Sequence, residues 1–212
     1  MQSKAGMAKD LNEALTVISA IRSQMARTTL FRGYGPATVA ATGLLAVGAA
    51  VAQAAWIEEP ARHLVPYLVL WTGTAALCAG LVAAEMVART RRAHGDLANE
   101  MLSAALEQFV PAGVTGGLLT LMLQSVSPES AWLLPALWQL FVALGVFASC
   151  RFLPAPIFWV GTWYLVCGLG TLVFARGVHA LSPLAMAVSF GVGQLLTAAI
   201  LYRYREESPP DV

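Results

Sequence analysis

Residues 36–57 read PATVAATGLLAVGAAVAQAAWI, and this stretch decides the fold class because it contains no ionisable side chain. As an α-helix with a rise of about 1.5 Å per residue, it would be about 33 Å long, which exceeds the roughly 30 Å hydrocarbon core of a bilayer. Pro36 suits the first turn of a helix, and Trp56 would lie at the depth of the lipid headgroups. Glu58 and Glu59 follow directly. The stretch therefore predicts a membrane span.

The rest of the chain repeats this pattern. Hydrophobic residues make up 58% of the sequence and charged residues 12%, against about 45–50% and about 25% in an ordinary soluble domain. Because a backbone in lipid must satisfy its hydrogen bonds internally, we predict an all-α, polytopic transmembrane helix bundle of about six spans. The predicted transmembrane domain covers residues 36–202, with spans at about 36–57, 64–88, 110–126, 131–150, 154–175 and 182–202.

Two flanking segments carry apolar residues at helical spacing. Within the N-terminal segment 1–35, this pattern predicts an amphipathic helix on the membrane surface. A similar pattern over residues 96–109, with Asp96 placed to cap it, indicates a possible second surface helix between spans 2 and 3. Pro111 interrupts the start of the third span and makes it the least defined boundary. Residues 203–212 are expected to form a tail outside the membrane.

The distribution of Lys and Arg predicts the orientation. Only Arg62 and Arg176 fall on the predicted outer side, whereas eleven basic residues fall on the inner side if the N-terminus is inside. Cytoplasmic loops are enriched in Lys and Arg, so both termini are expected in the cytoplasm and the protein in the inner (cytoplasmic) membrane. The inner residues are Lys4, Lys9, Arg22, Arg27, Arg32, Arg89, Arg91, Arg92, Arg151, Arg203 and Arg205.

Composition and motifs also limit the function. A formal charge of +1 without a clustered basic face argues against a nucleic-acid partner. The spacing of the three cysteines fits neither a zinc site nor a redox pair. No phosphate loop, His-Glu-x-x-His motif or nucleophile with a nearby base is present. We therefore expect no enzyme activity, no metal and no cofactor.

Glu85 is the one acidic residue predicted inside a span, and ionisable groups at membrane depth are often functional. Arg89 lies four residues later, so an ion pair near the inner end of span 2 is the favoured interpretation. A proton or ion site is the alternative. Four glutamines could hydrogen-bond between helices: Gln53, Gln124, Gln139 and Gln194.

His63 and His179 both fall at predicted outer membrane edges and are weak candidates for binding a metal or haem. Two histidines without a further ligand are more typical of solvated interfacial residues. Three tryptophans are predicted at greater depth, where they would pack between helices or line a pocket. They are Trp71, Trp138 and Trp163.

Three predicted spans carry small residues at every fourth position, a pattern that allows close helix packing in lipid. The partner helix could belong to this chain or to another subunit. The three faces are Ala46, Ala50 and Ala54; Thr72, Ala76, Gly80 and Ala84; and Ser189, Gly193 and Thr197.

The order of several short motifs resembles that of uncharacterised bacterial multi-pass membrane proteins, which have an amphipathic helix before the first span. These motifs are Val110-Pro111-Ala112-Gly113, Leu134-Pro135-Ala136-Leu137-Trp138, Arg151-Phe152-Leu153-Pro154 and Tyr202-Arg203-Tyr204-Arg205, with residues 18–37 fitting the same outline. The resemblance implies a topology and brings no activity with it.

Three functions are compatible with these features. The leading hypothesis is a non-enzymatic accessory or regulatory membrane module, in contact with lipid and with either a second copy or another membrane protein. A small transporter or channel acting as an oligomer is the first alternative, with Glu85 and the glutamines along a path. A haem- or quinone-associated subunit, using His63 and His179, is the second.

Overall fold

A computed structural model of the chain describes residues 35–90, 96–150 and 153–206, with residues 89, 90, 96–106, 178, 205 and 206 described by their backbone alone. Within this part of the chain the residues form helices and short connections, without a strand. Six of the described helical segments are long and apolar enough to cross a membrane. The predicted all-α, multi-pass architecture is confirmed. The amphipathic helix predicted within residues 1–35 lies outside the described residues.

The observed spans agree with the predicted ones to within a few residues at most boundaries. They are span 1, Pro36–Trp56; span 2, Leu64–Ala88; span 3, Glu107–Val126; span 4, Pro128–Ser149; span 5, Ile157–Phe174; and span 6, Pro183–Tyr204. Span 2 belongs to the helix Leu64–Thr90, and span 4 consists of a 3₁₀ turn, Pro128–Leu133, and the α-helix Leu134–Ser149.

Span 3 differs from the prediction at its start. The segment 96–109, predicted as a possible surface helix, continues into span 3 as one helix, Asp96–Val126, with Pro111 in its interior. A proline removes one backbone hydrogen bond from a helix, whereas ending the helix in lipid would expose several backbone groups. The Pro111 carbonyl also accepts a hydrogen bond from Thr115 Oγ1 at 2.8 Å. A continuous helix is thus the less costly solution.

Span 6 contains an irregular segment. It begins as the α-helix Pro183–Met186, widens into a π-helix over Ala187–Val192 and returns to an α-helix over Gly193–Glu206. The indole Nε1 of Trp163 in span 5 donates to the carbonyl of Ser189 at 3.1 Å. A π-helix disturbs the regular backbone pairing, and this side chain supplies a donor to one of the carbonyls concerned.

The spans pack most closely where glycines face a neighbouring helix. A Cβ added at Gly43 of span 1 would lie 3.1 Å from the Gly191 carbonyl oxygen of span 6. A Cβ added at Gly168 of span 5 would lie 3.2 Å from the Ala136 carbonyl oxygen of span 4. Spans 1 and 6 and spans 4 and 5 therefore form two tightly packed pairs, as small residues allow in lipid.

We call the end of the bundle that holds the connections 57–63, 127 and 175–182 the distal end. The largest buried cluster lies at this end and combines residues from spans 1, 2, 4 and 6, including Ala50, Tyr67, Leu134 and Met186. Few residues of spans 2 and 3 are fully buried, although span 3 packs along span 4, where the Phe109 ring lies against Gly145. Only 17% of span 2 and 11% of span 3 is buried, and no side chain from residue 72 to 88 is fully buried.

Candidate functional site

A buried hydrogen-bond network lies at the distal end, centred on Gln53 near the end of span 1. Gln53 has no solvent exposure. Its Nε2 donates to the Leu181 carbonyl at 2.7 Å, and its Oε1 accepts from Trp71 Nε1, also at 2.7 Å. One carboxamide thus connects span 1 to span 2 and to the connection between spans 5 and 6. We call Gln53, Trp71 and Leu181 the distal latch.

Leu181 adopts an unusual backbone conformation in this latch. Its φ of 57° lies in the left-handed region, although its side chain is almost completely buried. This region costs an L-residue other than glycine about 1–2 kcal/mol. The hydrogen bond from Gln53 and the burial of the Leu181 side chain in the distal cluster hold the residue in this conformation.

Aromatic contacts extend the latch to spans 3 and 4. Tyr67, one turn before Trp71, stacks on Trp138 with ring centroids 6.2 Å apart and an interplanar angle of 3°. Trp138 Nε1 donates to Thr120 Oγ1 at 2.9 Å, and Thr120 in turn donates to the Gly116 carbonyl. The Tyr67 hydroxyl is buried without a hydrogen-bond partner among the described residues. Polar and aromatic contacts therefore connect spans 1, 2, 3 and 4 at this end.

Gln139 forms a separate polar contact between spans 4 and 5. Its Oε1 accepts a hydrogen bond from Thr171 Oγ1 at 3.0 Å, and both residues are buried. Its Nε2 has no partner among the described residues. Because a buried amide is costly to leave unpaired, Gln139 lowers the stability of the otherwise apolar interface between spans 4 and 5.

Glu85 lies at the opposite end of the bundle from the distal latch. Its Oε2 accepts a hydrogen bond from the backbone N–H of Gly35 at 3.1 Å, and the side chain is half-buried. Gly35 is the N-cap of span 1, whose first turn carries no acidic residue of its own. A carboxylate stabilises a helix N-terminus by accepting from its free N–H groups. Glu85 thus acts as a capping residue supplied by a neighbouring helix.

The predicted pair of Glu85 with Arg89 lies outside the described side chains, since Arg89 is described by its backbone alone. The two remaining glutamines, Gln124 and Gln194, are half-buried on spans 3 and 6. Gln53 and Gln139 bind different partners, so the polar residues grouped by the sequence occupy separate interfaces in the bundle.

His63 and His179 are both exposed at the distal end. Among the described residues, no group of three or more His, Cys, Asp or Glu side chains is placed to hold a metal ion. The nearby cation Arg176 instead lies over the Trp132 ring, 5.2 Å from its centroid. Cys78, Cys150 and Cys167 are free thiols.

The three small-residue faces have different environments. Ala46 and Ala50 of span 1 are buried, as are Ser189 and Gly193 of span 6. The face on span 2 is exposed at every position, and a Cβ added at Gly80 would meet no atom within 4 Å. This exposed face consists of Thr72, Ala76, Gly80 and Ala84.

The sequence singled out Gln53 and Trp71 but did not identify Leu181, Tyr67 or Thr120 as their companions. No local pattern marks these three, because the Gln53–Leu181 bond joins residues 128 positions apart. The chain matches no protein-family model, curated protein or solved structure. The contacts among Gln53, Trp71, Leu181, Tyr67 and Thr120 consist of helix packing and hydrogen bonds within the bundle.

Proposed function

We propose that this integral membrane protein is a non-enzymatic module that associates with another membrane helix through the exposed face of span 2. The supporting observation is the contrast between this face and the two other small-residue faces. Ala46 and Ala50 of span 1 and Ser189 and Gly193 of span 6 are buried inside the bundle. Each of these two faces has one further member, Ala54 exposed and Thr197 half-buried, whereas all four positions of the span 2 face are exposed.

The exposed face lies on the side of span 2 turned away from span 1. Trp71, Cys78 and Glu85 face span 1, because they contact Gln53, the Thr42 carbonyl and the Gly35 N–H respectively. At about 100° per residue, position 76 is rotated by about 140° from position 71. A partner helix could therefore approach this face without displacing span 1.

The exposed face is suited to a helix partner because its side chains are short. Small side chains allow two backbones to approach closely, and van der Waals contact then drives association in lipid. On span 2 itself, large apolar residues such as Leu77 and Leu81 are exposed beside the small ones. Exposed large apolar residues cover the outward surfaces of spans 3 and 5, as at Leu118, Leu121, Val166 and Leu169. Those surfaces are typical of contact with lipid chains.

The proposal is tested by photo-crosslinking in native membranes, with a photoreactive residue at position 76. We expect one discrete protein product, which is lost when Gly80→Leu fills the face. Gly48→Leu is the matched control, since Gly48 on span 1 is also exposed and a Cβ there also meets no atom within 4 Å. Crosslinking to lipid alone, or equal loss with both variants, would contradict the proposal.

We also propose that the protein resides in a bacterial inner membrane with both termini in the cytoplasm, within the multi-pass family that its short motifs resemble. The orientation rests on the eleven-to-two distribution of basic residues. In this orientation the distal latch lies on the outer side, and Glu85 lies near the cytoplasm. Reporter fusions at both tails test this assignment, and reporters in opposite compartments would refute it.

A further inference from the structure

The connection between spans 5 and 6 contains two residues with positive φ. Gly177 and Leu181 both have a φ of 57°. Glycine adopts this conformation without steric cost, whereas leucine does not. Leucine intrinsically favours negative φ, and a change of Leu181 to negative φ would alter the direction in which the chain enters span 6. The observed path therefore depends on contacts made by the rest of the bundle.

The Gln53 carboxamide is held in one orientation by its two partners. Trp71 Nε1 is only a donor, and the Leu181 carbonyl is only an acceptor. A flipped carboxamide would place Nε2 against the indole N–H and Oε1 against the carbonyl, and both hydrogen bonds would be lost. The two observed bonds, each 2.7 Å long, are thus coupled through a single side chain.

We propose that Gln53 is a conformational latch that keeps the connection 175–182 closed over the distal core. When the hydrogen bond between the Gln53 carboxamide and the Leu181 carbonyl breaks, Leu181 relaxes from positive to negative φ. The connection 175–182 then moves as one segment. The movement uncovers the buried cluster that contains Tyr67, Leu134 and Met186. Trp71 strengthens the latch from span 2 by fixing the orientation of the carboxamide.

Hydrogen exchange measured by mass spectrometry on the full chain in lipid nanodiscs tests this device. The amides of His179 and Ala180 are suitable probes, because they donate to the Arg176 and Gly177 carbonyls at 3.1 Å. We expect Gln53→Leu to accelerate their exchange by about tenfold or more, since it leaves the Leu181 carbonyl without its donor. The matched control is Gln124→Leu, a half-buried glutamine on span 3, for which we expect exchange at the wild-type rate.

A second variant distinguishes a latch from a general loss of stability. Trp71→Phe keeps an aromatic ring but removes the indole donor, so we expect a smaller acceleration, of about threefold, at the same two amides. The double variant with Gln53→Leu should exchange no faster than Gln53→Leu alone, because both changes act through one carboxamide. This milder variant also decides the question if Gln53→Leu does not fold.

Two results would overturn the proposal. One is exchange at His179 and Ala180 that is unchanged in both Gln53→Leu and Trp71→Phe. The other is acceleration that is equal in peptides from the connection and from spans 4 and 5, because Gln53 would then act only on the stability of the whole bundle.

Discussion

The contact between spans 5 and 6 at Gly193 gives a quantitative test of the packing. A Cβ added at Gly193 would lie 2.6 Å from Cζ and 2.7 Å from the hydroxyl oxygen of Tyr164. Tyr164 is 1% exposed and its ring also packs against Phe190, so the ring has little freedom to move away. Overpacking of this kind costs about 1–3 kcal/mol. Gly193→Ala should therefore lose stability through this clash.

A matched substitution isolates the clash from helix propensity. Replacing glycine by alanine inside a helix gains about 1 kcal/mol from propensity alone, and Gly48→Ala provides this gain at a position where the new Cβ meets no atom within 4 Å. We expect Gly193→Ala to be less stable than Gly48→Ala by about 1–3 kcal/mol. Equilibrium unfolding in mixed detergent micelles measures the difference. Equal stabilities of the two variants would refute the packing of span 6 against Tyr164.

Two further predictions concern buried polar contacts. Glu85→Ala should lower the free energy of unfolding by about 1 kcal/mol because it removes the acceptor that caps the Gly35 N–H. Glu85→Gln retains an acceptor, so its free energy of unfolding should fall by less. Equal stability of Glu85→Ala and wild type would refute the capping role. Thr171→Val should lower the free energy of unfolding by about 1–3 kcal/mol because it leaves the Gln139 Oε1 unpaired. The double variant Gln139→Leu with Thr171→Val should be as stable as wild type or more stable, since neither partner then remains. The same unfolding assay measures both variants, and a double variant less stable than Thr171→Val alone would contradict this expectation.

The spans were predictable because their signal is local. An apolar run without charges, such as residues 36–57, has to be about as long as the bilayer core is thick, and the observed span 1 ends one residue earlier, at Trp56. The start of span 3 was harder to predict. Pro111 indicated a break, yet the helix runs through it from Asp96, because the cost of one missing hydrogen bond is small beside that of an exposed helix end in lipid.

The contacts between helices were not predictable from periodicity. The small-residue faces of spans 1, 2 and 6 look alike in the sequence, but the face of span 2 that contains Gly80 is the exposed one. Likewise, Glu85 has a sequence neighbour, Arg89, at helical spacing, while its observed backbone partner, Gly35, lies 50 positions away. Such pairings depend on how the spans are arranged, and single-helix patterns contain no information about that arrangement.

The central claim is a bundle of six spans, and cysteine accessibility in sealed vesicles tests it most directly. In a background without the three native cysteines, single cysteines replace Ala61, Glu129, His179 or Ala155, which are exposed in connections or at the membrane ends of spans. The account predicts that a membrane-impermeant thiol reagent labels the cysteines at positions 61, 129 and 179 from one side and the cysteine at 155 from the other. Labelling of all four from the same side, or of 61 and 179 from opposite sides, would contradict the six-span fold.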